Sequence, residues 1–325
     1  MLAAKYYSNT DIRLEDIPKP KIADGEILVK VAASGICGTD VMEWYRIKKA
    51  PRVLGHEIAG TIVESKSKKY SVGQRVFVSH HVACNKCKYC LAGNHTACET
   101  LHTGNYDPGG YSEFIRVPGI NVESGVYILP EHLSFAEATM IEPLACALRG
   151  QRVIDVKRGQ VVLVLGSGVS GLLNILVAGL EGAKVIATDV DPYRLKKAKE
   201  CGADEVLHAK IADGVRADKV IICTAALAAI DQAFHCIDRK GTILLFAIPD
   251  ENIKIPTADL WRREITVTSS YGAAGDDLAE ALELISSGRL DVKQLITHKL
   301  PLRKIQEGFR LVAEAKESLK VILEP

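Results

Sequence analysis

Cys84, Cys87, Cys90 and Cys98 stand within fifteen residues of one another, in the stretch HVACNKCKYCLAGNHTAC. The spacing C-x2-C-x2-C-x7-C lets a short loop fold round one ion, with a thiolate at every third residue and a fourth closing the tetrahedron. Four soft thiolates suit zinc. Such a site is coordinatively full, so it staples a loop and cannot activate a substrate. Lys86 and Lys88, between the thiols, offset part of the negative charge. The competing readings are an iron–sulfur cluster, which also uses x2 spacing, a zinc-ribbon nucleic-acid module, and four unrelated reduced cysteines.

Three further segments carry metal-ligating types: Cys37 in SGICGTD, followed by Thr39 and Asp40; His56 and Glu57 in LGHEIAG; and Glu142 in MIEPLAC. Each is weak alone. A His-Glu pair between apolar residues is unusual, because burying both side chains without partners is costly. Together, one thiolate, one imidazole and one or two carboxylates make a zinc site with a place left for water or substrate. An ion there acts as a Lewis acid on a bound hydroxyl.

The third signal is Gly166-Ser167-Gly168-Val169-Ser170-Gly171, a G-x-G-x-x-G turn after the apolar run Val161 to Leu165. The first glycine permits a tight turn, the second admits a pyrophosphate, and the third lets helix and strand pack closely, with the phosphates over the helix N-terminus. A second strand, AKVIATD, ends at Asp189, eighteen positions after Gly171. An acid there accepts from the adenosine ribose hydroxyls and repels a 2′-phosphate, which favours NAD over NADP. Arg194 is placed against the adenine or on a solvated helix face.

The elements that must position these residues follow from the pattern. Val161 to Leu180 runs twenty residues without a charge, long enough to span a bilayer, but its four glycines, two serines and Asn174 read as a strand turning into a buried helix. Beyond it, a helix over Pro192 to Glu200 and the strands EVL, KVIICT, GTILLFAI and EITVTSS continue a strand–helix alternation. That alternation predicts an α/β fold with a doubly wound parallel sheet. The flanks differ: GEILVKVAAS, QRVFVSH and YSEFIRV are short strands broken by Gly, Pro and Asn, and DDLAEALELISSG is a late helix. A mostly β domain of residues 1–143 and 272–325, interrupted by a nucleotide domain of 144–271, accounts for this. Lys and Arg total 41 against 40 Asp and Glu, a net charge of +1, which gives no electrostatic reason to expect nucleic acid or a membrane surface as partner. The early acids and prolines lack a signal peptide's apolar core. The nine cysteines are an odd number, and a cytoplasmic location, where clustered thiols point to metal, is the expectation.

With those residues in hand, the chain resembles the zinc-containing medium-chain dehydrogenase/reductase family along almost its whole length, through GICGTD, GHEIAG, the four-cysteine loop, GGYSEF, IEPLACAL, GSGVSG and LITHKLPL. The resemblance implies a Rossmann domain, a GroES-like catalytic domain and an active site in the cleft between them. It implies two zinc ions per chain: a structural one on Cys84, Cys87, Cys90 and Cys98, and a catalytic one on Cys37, His56 and Glu142, with Glu57 ligating or exchanging with water. Glu142 looks like the sorbitol (polyol) branch, and threonine dehydrogenases are also similar. The segment from Cys37 to His56 is shorter than usual, and Met42 stands where many relatives have a histidine in the proton path.

The activity this implies is reversible oxidation of a secondary alcohol in a polyol or sugar-like substrate, with NAD as hydride acceptor. Thr39 hydrogen-bonds the alcohol oxygen and passes its proton outwards, and Glu57 or a water serves as general base. The alternatives are a threonine-type 3-dehydrogenase acting on a β-hydroxy amino acid and a non-catalytic NAD(H)-binding sensor. A homodimer or homotetramer is expected by the same resemblance.

Overall fold

The computed structural model describes residues 1–103 and 105–325. They form two compact units, Met1–Ala145 with Ala273–Pro325, and Cys146–Gly272. The helix Ile141–Ile154 runs across the first division.

The unit Cys146–Gly272 is built on six parallel strands in the spatial order Glu205–His208, Lys184–Asp189, Val161–Leu165, Ala217–Ile222, Ile237–Leu245, Thr266–Ser269. Val162 to Leu165 are fully buried, as a strand covered on both faces requires. The chain starts in the middle, winds outward one way, then returns to wind the other. The order reverses beside Val161–Leu165, whose carboxyl end opens into the glycine-rich turn, the place where doubly wound sheets bind dinucleotides. The uncharged run divides at that turn into the strand Val161–Leu165 and the helix Val169–Leu180. The helix Pro192–Glu200 starts where Asp191 accepts from the Tyr193 amide at 2.8 Å with proline in the first turn, and it stops before Gly202 at φ +96°.

The other unit carries a seven-stranded, mostly antiparallel sheet. Its order is Ile296–Pro301, Lys320–Glu324, Ile27–Gly35, Glu57–Ser65, Arg75–Ser79, Val126–Ile128, and Phe114–Val117 pairs separately with Ile27–Gly35. A three-stranded sheet joins Asp11–Asp16, Leu2–Ser8 and Arg52–Val53. Two apolar clusters hold this unit: one round Tyr6, Tyr111, Phe309 and Val321, the other round Ile27, Ile58, Val76 and Ile115. The last strand sets the site. Ile322 lies opposite Gly35, and Gly35 lies opposite Glu57, so the C-terminal segment is brought beside a strand almost three hundred residues earlier in the chain.

Candidate active site and metal centres

Cys37 follows the end of the strand Ile27–Gly35 and caps the single turn Gly38–Val41. Its sulfur accepts from the Thr39 amide at 3.4 Å and the Thr39 hydroxyl at 3.2 Å. His56 and Glu57 enter from a turn at Gly55, where φ is +92° and an added Cβ would lie 2.8 Å from the Tyr111 amide nitrogen. Only glycine fits there without displacing backbone. The turn places Cys37 Sγ, an imidazole nitrogen of His56 and a carboxylate oxygen of Glu57 within 4.8 Å of one another. Glu142 is in the first turn of Ile141–Ile154, and its charge acts on Tyr106 and on Lys320, the partner of Glu57.

Around the trio lies a set of buried charges. Glu57 Oε2 is bound by Lys320 Nζ, and both side chains are at most 2% exposed. Burial alone would lower the Lys320 ammonium's pKa, but Glu57 and Cys37 hold it above the ordinary value. Glu57 Oε1 is buried without a hydrogen-bond partner. Asp40 is wholly buried; Tyr111 Oη donates to its Oδ2 at 2.5 Å, Arg46 Nη2 pairs with Oδ1 at 2.8 Å, and His56 Nδ1 lies 3.5 Å from Oδ1. Burial would raise Asp40, yet the His56 and Arg46 charges and the Tyr111 hydroxyl hold it well below the usual carboxylate range. His56 is pushed the other way: burial is outweighed by Asp40 and Cys37, and the imidazole holds a proton more readily than an ordinary histidine.

These residues fit a metal ion. The donor set mixes thiolate, imidazole and carboxylate, the trio is close enough to converge on one ion, and an orphaned buried carboxylate oxygen is the group such an ion would satisfy. The second cluster also fits. The four sulfurs of Cys84, Cys87, Cys90 and Cys98 lie within 4.8 Å of one another, against about 3.8 Å between sulfurs on a tetrahedral zinc. The Cys84 amide donates to Cys98 Sγ at 3.4 Å, and Cys87 and Cys90 sulfurs are 3.5 Å apart. Burial and the neighbouring thiols push the Cys90 thiol up to about 12, while backbone amides pull Cys84 and Cys98 down. Among the described residues, Ala83, Leu101 and Ala274 join the thiols in the core under this loop.

In the glycine-rich turn, Gly166 has φ +91°, and a Cβ on Gly171 would collide with the Gly166 carbonyl oxygen. Val169 and Ser170 open the helix, and Gly168 caps it. Asp189 does more than the sequence suggests. Its Oδ2 accepts from the Ser167 amide at 2.8 Å and its Oδ1 from the Asp191 amide at 3.0 Å, so it ties down the turn while each oxygen keeps a lone pair for a ribose hydroxyl. Arg194 Nη1 lies 3.9 Å from Asp189 Oδ2, and the same atom is 3.9 Å from where a Gly168 Cβ would sit. It lies beside the turn and is only 22% exposed.

Sequence reasoning passed over Lys320, Arg46, Tyr111 and the pair His80–His81. The His80 ring lies 4.9 Å from the His56 ring and 3.6 Å from that of His81. For Lys320 a signal existed: a single charge inside the apolar run LKVIL of a strand implies a buried partner. No local signal marks Arg46.

A GroES-type β unit with a thiol–imidazole–carboxylate trio, and a separate unit with a dinucleotide turn, define a zinc-type alcohol dehydrogenase. Residues 23–124 match the alcohol dehydrogenase GroES-like domain, and residues 170–287 match the zinc-binding dehydrogenase family. Sorbitol dehydrogenase of Ovis aries is 31% identical over 92% of this chain and 89% of its own, and L-threonine 3-dehydrogenase of Rhizobium etli is 30% identical over 100% and 99%. Among solved structures, an alcohol dehydrogenase from Escherichia coli complexed with NADH superposes with a TM-score of 0.89 at 27% identity, covering 100% of this chain and 99% of that one. A zinc-binding dehydrogenase from Sinorhizobium meliloti bound to NADP gives 0.88 at 25%, covering 100% and 99%. The chain belongs to the zinc-containing medium-chain alcohol dehydrogenase family, oxidoreductases acting on CH–OH donors. No helix among the described residues is long and apolar enough to cross a membrane.

Proposed function

We propose that this chain oxidises a secondary alcohol of a polyol or sugar-like substrate with NAD, reversibly. The observation that carries the reading is the gathering of Cys37, His56 and Glu57 round one point with a buried carboxylate oxygen left unsatisfied. Cys37 and His56 would hold the catalytic zinc with Glu142 or Glu57, and Cys84, Cys87, Cys90 and Cys98 a structural one, two per chain. When bound, zinc supplies Lewis acidity that eases loss of the alcohol proton, and NAD supplies the acceptor for the carbinol hydrogen with its electron pair. The net change is secondary alcohol and NAD⁺ to ketone, NADH and a proton.

The residues of the chain supply position and charge. Asp40 orients His56 from behind, Tyr111 and Arg46 contact Asp40, and Lys320 is the buried counter-ion of Glu57. Asp189 supports the preference for NAD: its carboxylate, held by two amides, would meet a 2′-phosphate with like charge. Asp189→Ser should raise NADP use relative to NAD at least about ten-fold in kcat/KM; an unchanged ratio would remove Asp189 as the selector. A homodimer or homotetramer, checked by light scattering, completes the reading.

The deciding experiment is NADH formation by the zinc-loaded protein against polyols, simple secondary alcohols and threonine. A polyol as the strongest responder is expected. Threonine as the sole responder, or silence with NADH binding intact, overturns the reading in favour of the amino-acid dehydrogenase or of a non-catalytic sensor.

A further inference from the structure

The Thr39 hydroxyl is already engaged on two sides. It donates its only hydrogen towards Cys37 Sγ at 3.2 Å and accepts from Arg46 Nη2 at 2.9 Å. A hydroxyl has one hydrogen and two acceptor lone pairs, so one acceptor position remains. Arg46 is held tightly enough to impose this. Its Nε donates to the Thr39 carbonyl at 3.0 Å, its Nη2 pairs with Asp40 Oδ1 at 2.8 Å, and its guanidinium lies 5.0 Å from the centre of the Tyr45 ring. The arginine side chain is 17% exposed and Asp40 is wholly buried. Nε and Nη2 together reach the carbonyl and the hydroxyl of Thr39, a two-atom contact that lysine's single nitrogen cannot copy.

We propose that Arg46 is a positioning residue for the dehydrogenase reaction: it holds the Thr39 hydroxyl as a fixed hydrogen-bond acceptor for the substrate's hydroxyl, and it closes Thr39 as an exit for the substrate proton. The guanidinium only donates and does not lose its proton in proteins, so nothing passes from Thr39 into Arg46. Met42, on the same segment, has no basic atom to receive a proton either. Thr39 therefore orients the alcohol, and the proton leaves by another route. A mere counter-ion for Asp40 would need one contact; two of Arg46's three polar contacts are to Thr39.

The inference rests on the alcohol-oxidising reading, and its test includes a readout that does not need turnover. Arg46→Ala, Arg46→Lys, Thr39→Val and the Arg46→Ala/Thr39→Val double variant are compared with the parent after cobalt(II) replaces zinc. The sulfur-to-cobalt charge-transfer band of the four-cysteine site cancels in difference spectra. Loss of a hydrogen bond to Cys37 Sγ shifts its own band to longer wavelength, and both alanine and valine variants should show that shift, with no further shift in the double variant. On the best alcohol, each single variant should lose about ten-fold or more in kcat with KM changed less than about three-fold, and the double variant should be no worse than Thr39→Val. Arg46→Lys keeps the pairing to Asp40, so it folds even where alanine does not, and it should fail to restore kcat. An Arg46→Ala spectrum superimposable on the parent, additive losses in the double variant, or full activity in Arg46→Lys each overturns the proposal. Absence of turnover in the parent sinks the alcohol-oxidising reading alone, because the spectral cycle still decides the Arg46–Thr39–Cys37 coupling.

Discussion

Lys320 is the residue on which the buried charge of the site depends. An ammonium and a carboxylate taken together out of water are tolerable when they meet, but removing one partner strands the other. Lys320→Met should therefore lower unfolding free energy by about 3–5 kcal/mol in denaturant titrations, and adding Glu57→Gln should recover part of it. A loss below about 1 kcal/mol would mean that water reaches the pair. His81 makes a prediction of opposite chemistry. Its ring is held neutral, chiefly by burial and then by His56, and its pKa falls to about 3. The unfolded chain then binds the proton first, so this contribution to stability is complete above about pH 6.5 and is lost as pH falls from there towards 3. Between pH 7.5 and 5.5 the loss is at most about 1.4 kcal/mol, less for a half-buried ring that water screens. His81→Gln should flatten that part of the pH dependence relative to the parent.

At the scale of elements, two glycines show what the local patterns meant. The strand–turn–helix of Val161–Leu165 and Val169–Leu180 was readable because its reason is local: a buried β-branched run, a turn that needs positive φ, and an apolar helix. Gly171 must be glycine because the turn's own carbonyl oxygen at Gly166 occupies the space of a side chain. Gly171→Ala should weaken NADH binding about ten-fold or more and cost about 1–3 kcal/mol of stability; fluorescence titration with NADH and a denaturant curve measure the two. Wild-type affinity in that variant would show that the turn relaxes at little cost. Gly35 has a different reason. A Cβ there would lie 2.7 Å from Lys320 Cε and press on Glu57, a constraint made by three strands that meet only after folding.

At the scale of the whole molecule, the four-cysteine loop has little apolar core of its own. It has short helical turns at Lys88–Leu91, His95–Ala97 and Glu99–Thr103 and a core of thiols with few apolar side chains. If the chain carries the two zinc ions proposed, Cys98→Ser should remove one of them by elemental analysis and lower the unfolding temperature of the unit that contains it, while NADH binding persists. Two zinc ions retained in that variant would place the second ion elsewhere.

The amino-acid sequence by itself determined the nucleotide sheet, the four-thiol cluster and the identities of Cys37, His56 and Glu57, because those signals are short in range: strand periodicity, ligand spacing and glycine-rich turns. It showed Thr39 and Asp40 as neighbours of Cys37, but not that Arg46 grips both of them. Only the tertiary structure decided that Glu57 is paired with Lys320 and that Asp40 stands behind His56. These are contacts between segments far apart in the chain, set by strand register and burial. No local pattern encodes a register between Gly35, Glu57 and Ile322, because it is settled only when the apolar faces of all three strands find one core.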